Sequence, residues 1–340
     1  MNETRPLLEV KDLTVHFSVY GGDLKVLDGV NFHMYPGEKV GLVGETGCGK
    51  TTTMKAILRI LPVPPAVIPH GEIRFKGEDI LRMKPDRLGK VRGRGISMIF
   101  QDPTAALNPV FTVGQQMEPV IHYTSPEGRR LSRRQIHDRA ITPLQEVGLP
   151  DPERLLRSYP IQLSGGMRQR VCIGMALSTN PELLIADEPG TSLDVTIQDQ
   201  VLRLLHDLVQ KKRTSVILIT HTLGVVREMT DRVYVMYAGN MVELAATHKL
   251  FSNPLHPYSQ GLMKAVPRLT GGGVAEGIPG RIPTYQSPPT GCRFHPRCPH
   301  VMELCRELKP PFFKVEADHE VACFLYKDHA EPRTAEPGGQ

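Results

Sequence analysis

Short apolar runs alternate with longer amphipathic stretches along most of the chain, and this alternation predicts an α/β fold. The runs have the length and composition of buried parallel strands. They are residues 39–43, 96–100, 183–187, 214–220, 233–237 and 241–244. After the first run, residues 52–61 carry apolar side chains at helical spacing, which predicts a helix directly behind a strand.

Two regions depart from this alternation. Residues 7–35 form two apolar, strand-like runs around a turn at 21–23, and residues 71–75 are a further short strand. These predict an antiparallel β subdomain. Residues from about 104 to 180 are rich in proline between helix-like pieces, and they predict a helical subdomain inserted into the sheet domain.

The segment between the first strand and its helix reads GETGCGKT, from Gly44 to Thr51. It matches the phosphate-loop template, in which glycines let the backbone approach a phosphate and the loop N–H groups form an anion nest. Lys50 supplies a positive charge for the terminal phosphates, and the Thr51 hydroxyl is a Mg²⁺ ligand. The predicted nucleotide contacts are Gly44, Glu45, Thr46, Gly47, Cys48, Gly49, Lys50, Thr51 and Thr52.

Polar residues follow three of the other predicted strands at the ends where ligands bind in α/β sheets. Gln101 is a candidate Mg²⁺ ligand or water-positioning group. Asp187 is a candidate Mg²⁺ ligand, and Glu188 a general base that polarises the attacking water. His221 would contact the terminal phosphate or orient that water.

Two further candidates have an ordinary structural alternative. Ser164, Gly165 and Gly166 precede an apolar-periodic helix, and they are either a second anion-binding helix start or a common helix cap. Phe17 would stack on an adenine or face the core, and we weigh the two equally. Tyr20 is a less favoured candidate for the stacking role.

Composition and net charge indicate the cellular location of the chain and the partners that it lacks. The sequence contains no run of about 18 apolar residues and its N-terminus has no apolar signal-peptide core, so we expect a cytoplasmic chain. The net charge of +5 is mild for 340 residues. The basic stretch at 82–95 lacks interleaved aromatic residues, which favours a solvated surface over a nucleic-acid site.

Four of the six cysteines crowd one C-terminal segment with the spacing C-x5-C-x6-C-x17-C: Cys292, Cys298, Cys305 and Cys323. Four thiolates can hold zinc or an iron–sulfur cluster. The wide, uneven spacing lacks paired CxxC knuckles and favours a cluster. The alternative ligands nearby are His295, His300 and His319.

Residues 7–250 resemble the ATP-binding cassette (ABC) ATPases, a family of P-loop NTPases. The resemblance comprises GETGCGKT, the Q-loop Gln101, the signature LSGGMRQR, the Walker B strand LLIADE, the D-loop Ser192-Leu193-Asp194 and the switch His221. Cys48 stands where Ser is usual, and Gly190 where Thr is usual. Residues 250–326 resemble the C-terminal part of oligopeptide and dipeptide importer ATPases through LFSNPLHPYS and CRFHPRCPHVMELC.

The resemblance implies a nucleotide-binding domain at 1–250 and an importer-type Cys-rich extension at 251–327. The composition of residues 328–340 predicts a disordered tail. The resemblance also implies ATP with Mg²⁺, sandwiched between the phosphate loop of one subunit and the Ser164-Gly165-Gly166 signature of another, and a 4Fe–4S cluster at the cysteines. The expected partners are a paralogous ATPase, two membrane permeases and an external substrate-binding protein, without nucleic acid. The chain would lie at the cytoplasmic face of the membrane and energise import of di- or oligopeptides. The alternatives are import of nickel or sugar oligomers and, less favoured, a soluble ATPase without a transport role.

Overall fold

A computed structural model describes residues 5–123, 131–265, 277–328 and 332. The predicted disordered tail at 328–340 lies outside the described residues except for Asp328 and Pro332. Within the described part of the chain, no helix combines the length and the apolar character needed to cross a membrane.

The strands lie where the apolar runs predicted them, with a few additional ones. They are β1 (Leu8–Val19), β2 (Gly22–Met34), β3 (Lys39–Val43), β4 (Ala66–Phe75), β5 (Glu78–Asp79), β6 (Ile96–Ile99), β7 (Leu183–Asp187), β8 (Ser215–Ile219), β9 (Arg232–Tyr237), β10 (Asn240–Ala246), β11 (Phe313–Glu316) and β12 (His319–Val321).

The helices connect these strands and also fill the segment between β6 and β7. They are α1 (Lys50–Ile57), α2 (Pro85–Lys90), α3 (Pro103–Ala106), α4 (Val113–Tyr123), α5 (Arg133–Glu146), α6 (Pro152–Arg157), α7 (Gly165–Leu177), α8 (Val195–Lys212), α9 (Leu223–Met229), α10 (Thr247–Ser252), α11 (Pro257–Lys264) and α12 (Glu303–Glu307). A short 3₁₀ turn at His295–Arg297 contains Arg297, whose contacts are described with the functional site below.

Helix α1 is shorter than its apolar pattern predicted. The helix ends at Leu58, and Arg59 takes the left-handed φ of +52°. The Arg59 N–H donates to Ala56 O, and the Ile60 N–H donates to Lys55 O. These two bonds satisfy the last carbonyls of the helix in a Schellman motif, so the helix stops before Leu61.

The chain divides into two compact units, of which the first comprises residues up to 34, 40–81 and 221 onward. This unit contains the predicted antiparallel β subdomain, a sheet in the order β2-β1-β4-β5. Alternate side chains of β1 are buried because one face of the sheet covers the core. Strand β4 begins at Ala66 rather than Gly71, since it extends its pairing with β1 to Phe17.

The same unit contains the strand that leads into the phosphate loop. Strand β3 pairs in parallel with β9, and β9 continues through antiparallel pairs to β10, β12 and β11. Strands β11 and β12 therefore extend this sheet, and the described residues after β10 belong to the same unit as the phosphate loop. The structure does not support a separate Cys-rich extension as an element of the fold.

The second unit comprises residues 35–39 and 82–220. Its strands β6, β7 and β8 pair in parallel with β7 in the centre, and every residue of β7 and β8 is buried. That burial explains why these strands appear in the sequence as continuous apolar runs. Helices α4, α5 and α6 pack on one another, as predicted for the helical region.

Candidate functional site

The phosphate loop has a backbone that only glycine can form at two of its positions. Gly44 follows β3 with a φ of +153°, and Gly49 precedes α1 with a φ of +108°. A Cβ atom at Gly44 would lie 2.1 Å from the Met236 carbonyl oxygen. A side chain at either position would therefore strain or displace the loop.

Lys50 is the first residue of α1, and its side chain lies inside the loop. The residue is 6% exposed, and its Nζ donates to Gly44 O at 2.7 Å and to Glu45 O at 3.0 Å. A buried ammonium is expensive unless it is hydrogen-bonded, and these two carbonyls satisfy it. The loop thus holds a fixed positive charge beside the N-terminus of a helix, an arrangement that suits an anionic ligand.

Cys48 is accommodated as a core residue. It is fully buried, and burial raises the pKa of its thiol. Its Sγ atom lies 3.7 Å from Lys50 Nζ. Its carbonyl accepts a hydrogen bond of 2.7 Å from Gly239 N, which connects the loop to the turn between β9 and β10.

The remaining predicted contacts differ in exposure. Thr46 and Gly47 are exposed at the tip of the loop, while Thr51 and Thr52 are half-buried in the first turn of α1. Phe17 is half-buried in β1, where it pairs with Leu24 of β2 and Ala66 of β4. Tyr20 is fully exposed in the turn that follows β1.

Among the described residues beyond β10, three hydrogen-bond to the phosphate loop, and sequence reasoning missed all of them. Arg297 donates two bonds to the Glu45 carboxylate, at 2.9 and 3.1 Å. Tyr258 Oη accepts from Glu45 N at 2.8 Å, and Tyr285 Oη donates to Gly47 O at 2.7 Å. The sequence contained one signal of such a contact, which is the acidic Glu45 within an anion-binding loop. A carboxylate in that position needs a cation as its partner.

In the second unit, Gln101 and Glu188, two separate candidates at strand ends, are in contact with each other. Gln101 Nε2 donates to Glu188 Oε2 at 3.0 Å. The same carboxylate oxygen accepts from Thr191 Oγ1 at 3.0 Å, a contact that sequence reasoning missed. Glu188 is thus oriented from two sides while it remains 8% exposed.

The backbone at Glu188 is strained. Its φ of +47° lies in the left-handed region, where a residue with a side chain costs about 1–3 kcal/mol. The bond from Glu188 N to Ile219 O, at 2.8 Å, holds this conformation at the end of β7. Asp187, directly before it, is 2% exposed. Gly190 is buried, and a Cβ atom there would lie 2.6 Å from Gln198 Cγ, so the usual Thr would crowd α8.

Ser164 caps helix α7. Its hydroxyl accepts from Met167 N at 3.3 Å, and the serine itself is exposed. Gly166 approaches α8 closely, because a Cβ atom there would lie 2.8 Å from Ile197 Cγ2. His221 is exposed, two residues after the end of β8. The structure thus brings the loop residues together in one unit, and Gln101 together with Glu188 in the other.

The prediction of a metal centre at the C-terminal cysteines is wrong. Among the described residues, no group of three or more His, Cys, Asp or Glu side chains is arranged to hold a metal ion. All four cysteines are free thiols, and they line one small cavity with apolar neighbours such as Phe294 and Phe324. Burial raises the pKa of Cys292 to about 11 and that of Cys323 to about 12. The described residues therefore support neither the iron–sulfur cluster nor its zinc alternative.

Two family models match this chain. The ABC transporter model matches residues 27–191, which include the phosphate loop and the signature segment. The model of the oligopeptide/dipeptide transporter C-terminal region matches residues 242–305, which include Tyr258, Tyr285 and Arg297.

Individual proteins are similar over nearly the whole chain. The oligopeptide transport ATP-binding protein OppD of Bacillus subtilis (strain 168) is 45% identical over 97% of this chain and 91% of its own length. The dipeptide transport ATP-binding protein DppD of the same organism is 44% identical over 96% of each chain. A dimeric structure of the ATP-binding cassette MJ0796, in a post-hydrolysis state with ADP and Pi, has a TM-score of 0.62. It is 26% identical and covers 71% of this chain and 98% of that one.

Proposed function

Because this chain belongs to the ABC transporter family, among the ATP-binding proteins with an oligopeptide/dipeptide transporter C-terminal region, we propose that it energises a peptide importer. The chain hydrolyses ATP, and the energy would drive a membrane permease between its two orientations. The observation that supports this function best is the buried Lys50 ammonium, held by the carbonyls of a glycine loop at a helix N-terminus.

We assign the binding of ATP and the steps of its hydrolysis to different residues of the chain. Backbone N–H groups of the segment from Gly44 to Thr52, other than those of Glu45 and Cys48 that donate within the protein, would bind and orient the phosphates of ATP together with the Lys50 ammonium. Phe17 would stack on the adenine. Glu188 would take a proton from the attacking water, because Gln101 and Thr191 already orient its carboxylate. His221 would orient the water or contact the terminal phosphate.

A magnesium ion would be held by Thr51, Gln101 and Asp187. Hydroxyl, amide and carboxylate oxygens are the ligand types that this ion prefers, so the residues fit it. When bound, it supplies charge neutralisation for the β- and γ-phosphate oxygens.

The second half of the nucleotide site would come from another subunit. The sequence contains one phosphate loop and one signature segment, Ser164-Gly165-Gly166, which in this arrangement contacts the ATP bound by the partner. We propose a paralogous ATPase as that partner, together with two permease subunits and an external binding protein. The chain would lie on the cytoplasmic face of the membrane. The proposed domains are 1–250 for nucleotide binding, with a helical subdomain at 104–180, and 251–327 for the transporter-type C-terminal region.

Removal of the loop cation tests this function. Lys50→Ala should abolish hydrolysis of MgATP at the site built on this loop, in the complex of the full chain with its partner subunits, because the terminal phosphates lose their fixed positive charge. The measurement is phosphate release with saturating MgATP. Lys55→Ala, five residues later on α1, is the matched control and should hydrolyse ATP at the wild-type rate. Wild-type turnover by Lys50→Ala would contradict the assignment of this loop.

A further inference from the structure

Side chains from the chain after α10 hydrogen-bond to two peptide groups of the phosphate loop and so fix the orientation of those peptides. Tyr258 Oη accepts the Glu45 N–H at 2.8 Å. A trans peptide directs its N–H and its C=O to opposite sides, so the Gly44 carbonyl must face away from Tyr258. That carbonyl accepts from Lys50 Nζ at 2.7 Å. A tyrosine of α11 therefore determines where the loop lysine finds one of its two carbonyl partners.

A second peptide of the loop is fixed in the same way. Tyr285 Oη donates to Gly47 O at 2.7 Å, which directs the Cys48 N–H to the opposite side. That N–H donates to Glu45 O at 3.2 Å, and Glu45 O also accepts from Lys50 Nζ at 3.0 Å. Both carbonyls that hold the lysine are thus connected to residues of the C-terminal segment.

Arg297 connects this arrangement to the sheet. Its two bonds to the Glu45 carboxylate form a bidentate pair, the strongest geometry for such a contact. The guanidinium also donates to Ile278 O at 2.9 Å and to Pro279 O at 2.8 Å, and it lies 5.6 Å from the centre of the Tyr237 ring. Tyr237 is the last residue of β9, the strand that pairs with β3.

The arginine is rigid and charged in this position. Its side chain is 5% exposed, so its contacts do not compete with bulk water. Burial alone would lower the pKa of Arg297, but the hydrogen bonds to Glu45 and Tyr237 raise it above its ordinary value. Below it, Tyr237 packs against Tyr258 and Phe294 with ring centres 4.7 and 5.0 Å apart. The loop carboxylate is therefore held by a preorganised group on a buried aromatic base.

We propose that Arg297 is a positioning residue of the nucleotide site, which acts through Glu45 to hold the phosphate loop in its anion-binding conformation. The inference rests on the proposed binding of ATP at this loop. It assigns to the C-terminal segment a role in nucleotide affinity, beyond any role in transport. Tyr285 supports the same conformation through Gly47.

The test is the steady-state hydrolysis of MgATP by the detergent-extracted complex of this chain with its partner subunits, in which this chain carries Arg297→Gln. We expect KM for ATP to rise about tenfold, the factor that corresponds to one lost charge-assisted hydrogen bond, with kcat little changed. A purely structural role would lower the active fraction and hence the apparent kcat, but would leave KM unchanged. Arg297→Lys should give an intermediate KM, because it retains the charge and loses the bidentate geometry.

A double-mutant cycle shows whether Arg297 acts through Glu45. In a Glu45→Gln background, Arg297→Gln should change KM no further. Tyr285→Phe removes a single hydroxyl without loss of volume, and it should raise KM about threefold even if the arginine variants fold poorly. Lys249→Gln is the matched control, since it breaks an ion pair of 2.7 Å between α10 and Glu316 of β11, in the same unit as the loop.

The outcomes separate this inference from the proposed function. A KM unchanged in both Arg297→Gln and Tyr285→Phe, or the same rise in KM in Lys249→Gln, overturns the inference. If Lys50→Ala abolishes turnover while those two variants keep the wild-type KM, only the inference fails. If Lys50→Ala hydrolyses ATP normally, the proposed function fails and the inference fails with it.

Discussion

Several charged side chains of this protein are buried or half-buried, and each is hydrogen-bonded to a specific partner. Lys50 is satisfied by two loop carbonyls, and the Glu45 carboxylate is satisfied by Arg297. Glu188 combines a strained backbone with two hydrogen bonds to one carboxylate oxygen. Strain held in this way by surrounding contacts is typical of residues that act in chemistry.

Replacement of the proposed base tests that interpretation of Glu188. Glu188→Gln should reduce ATP turnover at least about 100-fold, because an amide of the same shape cannot accept the proton from water. Equilibrium binding of MgATP should remain, since the loop is untouched. Phosphate release and calorimetric titration measure the two effects. The exposed Glu182, before β7, supplies the control Glu182→Gln, which should behave as wild type. Turnover near the wild-type rate in Glu188→Gln would show that the base is another group.

Among the elements, the attachment of α11 to the sheet depends on one buried carboxylate of β10. Glu243 is fully buried and accepts from Leu255 N at 2.8 Å and from His256 N at 2.9 Å. It also lies 2.7 Å from His319 Nε2 of β12. Because α11 carries Tyr258, this carboxylate helps to position a residue that contacts the phosphate loop.

The cap of α11 makes the stability of the protein depend on pH. His256 is buried and accepts from Tyr258 N at 3.0 Å, and burial lowers the pKa of His256 to about 4 although Glu243 opposes this shift. Below about pH 6.5 the unfolded chain binds a proton at this residue and the folded chain does not. Stability from this group is therefore complete above pH 6.5 and decreases as the pH falls towards 4, by about 1.4 kcal/mol per pH unit.

His256→Asn isolates that contribution, because asparagine also caps helices but does not titrate. Between pH 7.5 and pH 5.0 the wild type should lose about 2 kcal/mol more unfolding free energy than His256→Asn, which urea titration at the two pH values measures. Equal losses in both proteins would mean that His256 is already protonated in the fold.

At the scale of the whole molecule, the C-terminal residues are part of the unit that carries the phosphate loop. Strands β11 and β12 extend the sheet of β9 and β10, and the segment between them and α10 contacts the loop. The oligopeptide/dipeptide transporter model matches within this region. In this protein, the region that resembles peptide transporters is thus also the region that supports the nucleotide-binding loop.

Association with a membrane complex tests the proposed transport role. After mild detergent extraction from its native cell, the chain should copurify with integral membrane proteins, because its energy must be transmitted to a permease. Lys50→Ala should copurify equally but fail to support peptide uptake, since only the nucleotide step is removed. Mass spectrometry of the purified complex and uptake of a labelled dipeptide are the measurements. A chain that copurifies with no integral membrane protein would contradict the role.

Local chemistry explains why the sequence alone determined so much of this protein. Buried parallel strands require continuous apolar runs, and an anion-binding loop requires glycines before a helix, so β3, β7, β8 and the Gly44–Thr51 loop were recognisable without a structure. The positions of Gln101 and Glu188 at the carboxyl ends of strands were also recognisable, but their contact with each other appeared only in the structure.

Only the tertiary structure decided which distant residues meet the loop. Arg297 is 252 positions from Glu45, and nothing local in CRFHPRC distinguishes an arginine that binds a carboxylate from one exposed to solvent. The cysteines suggested a metal because the crowding of four thiols in one segment was the only visible signal. Among the residues that the structure describes, no group of three or more such side chains is arranged to hold a metal ion. Contacts and burial of this kind depend on how the chain returns to the sheet, which no short segment of sequence encodes.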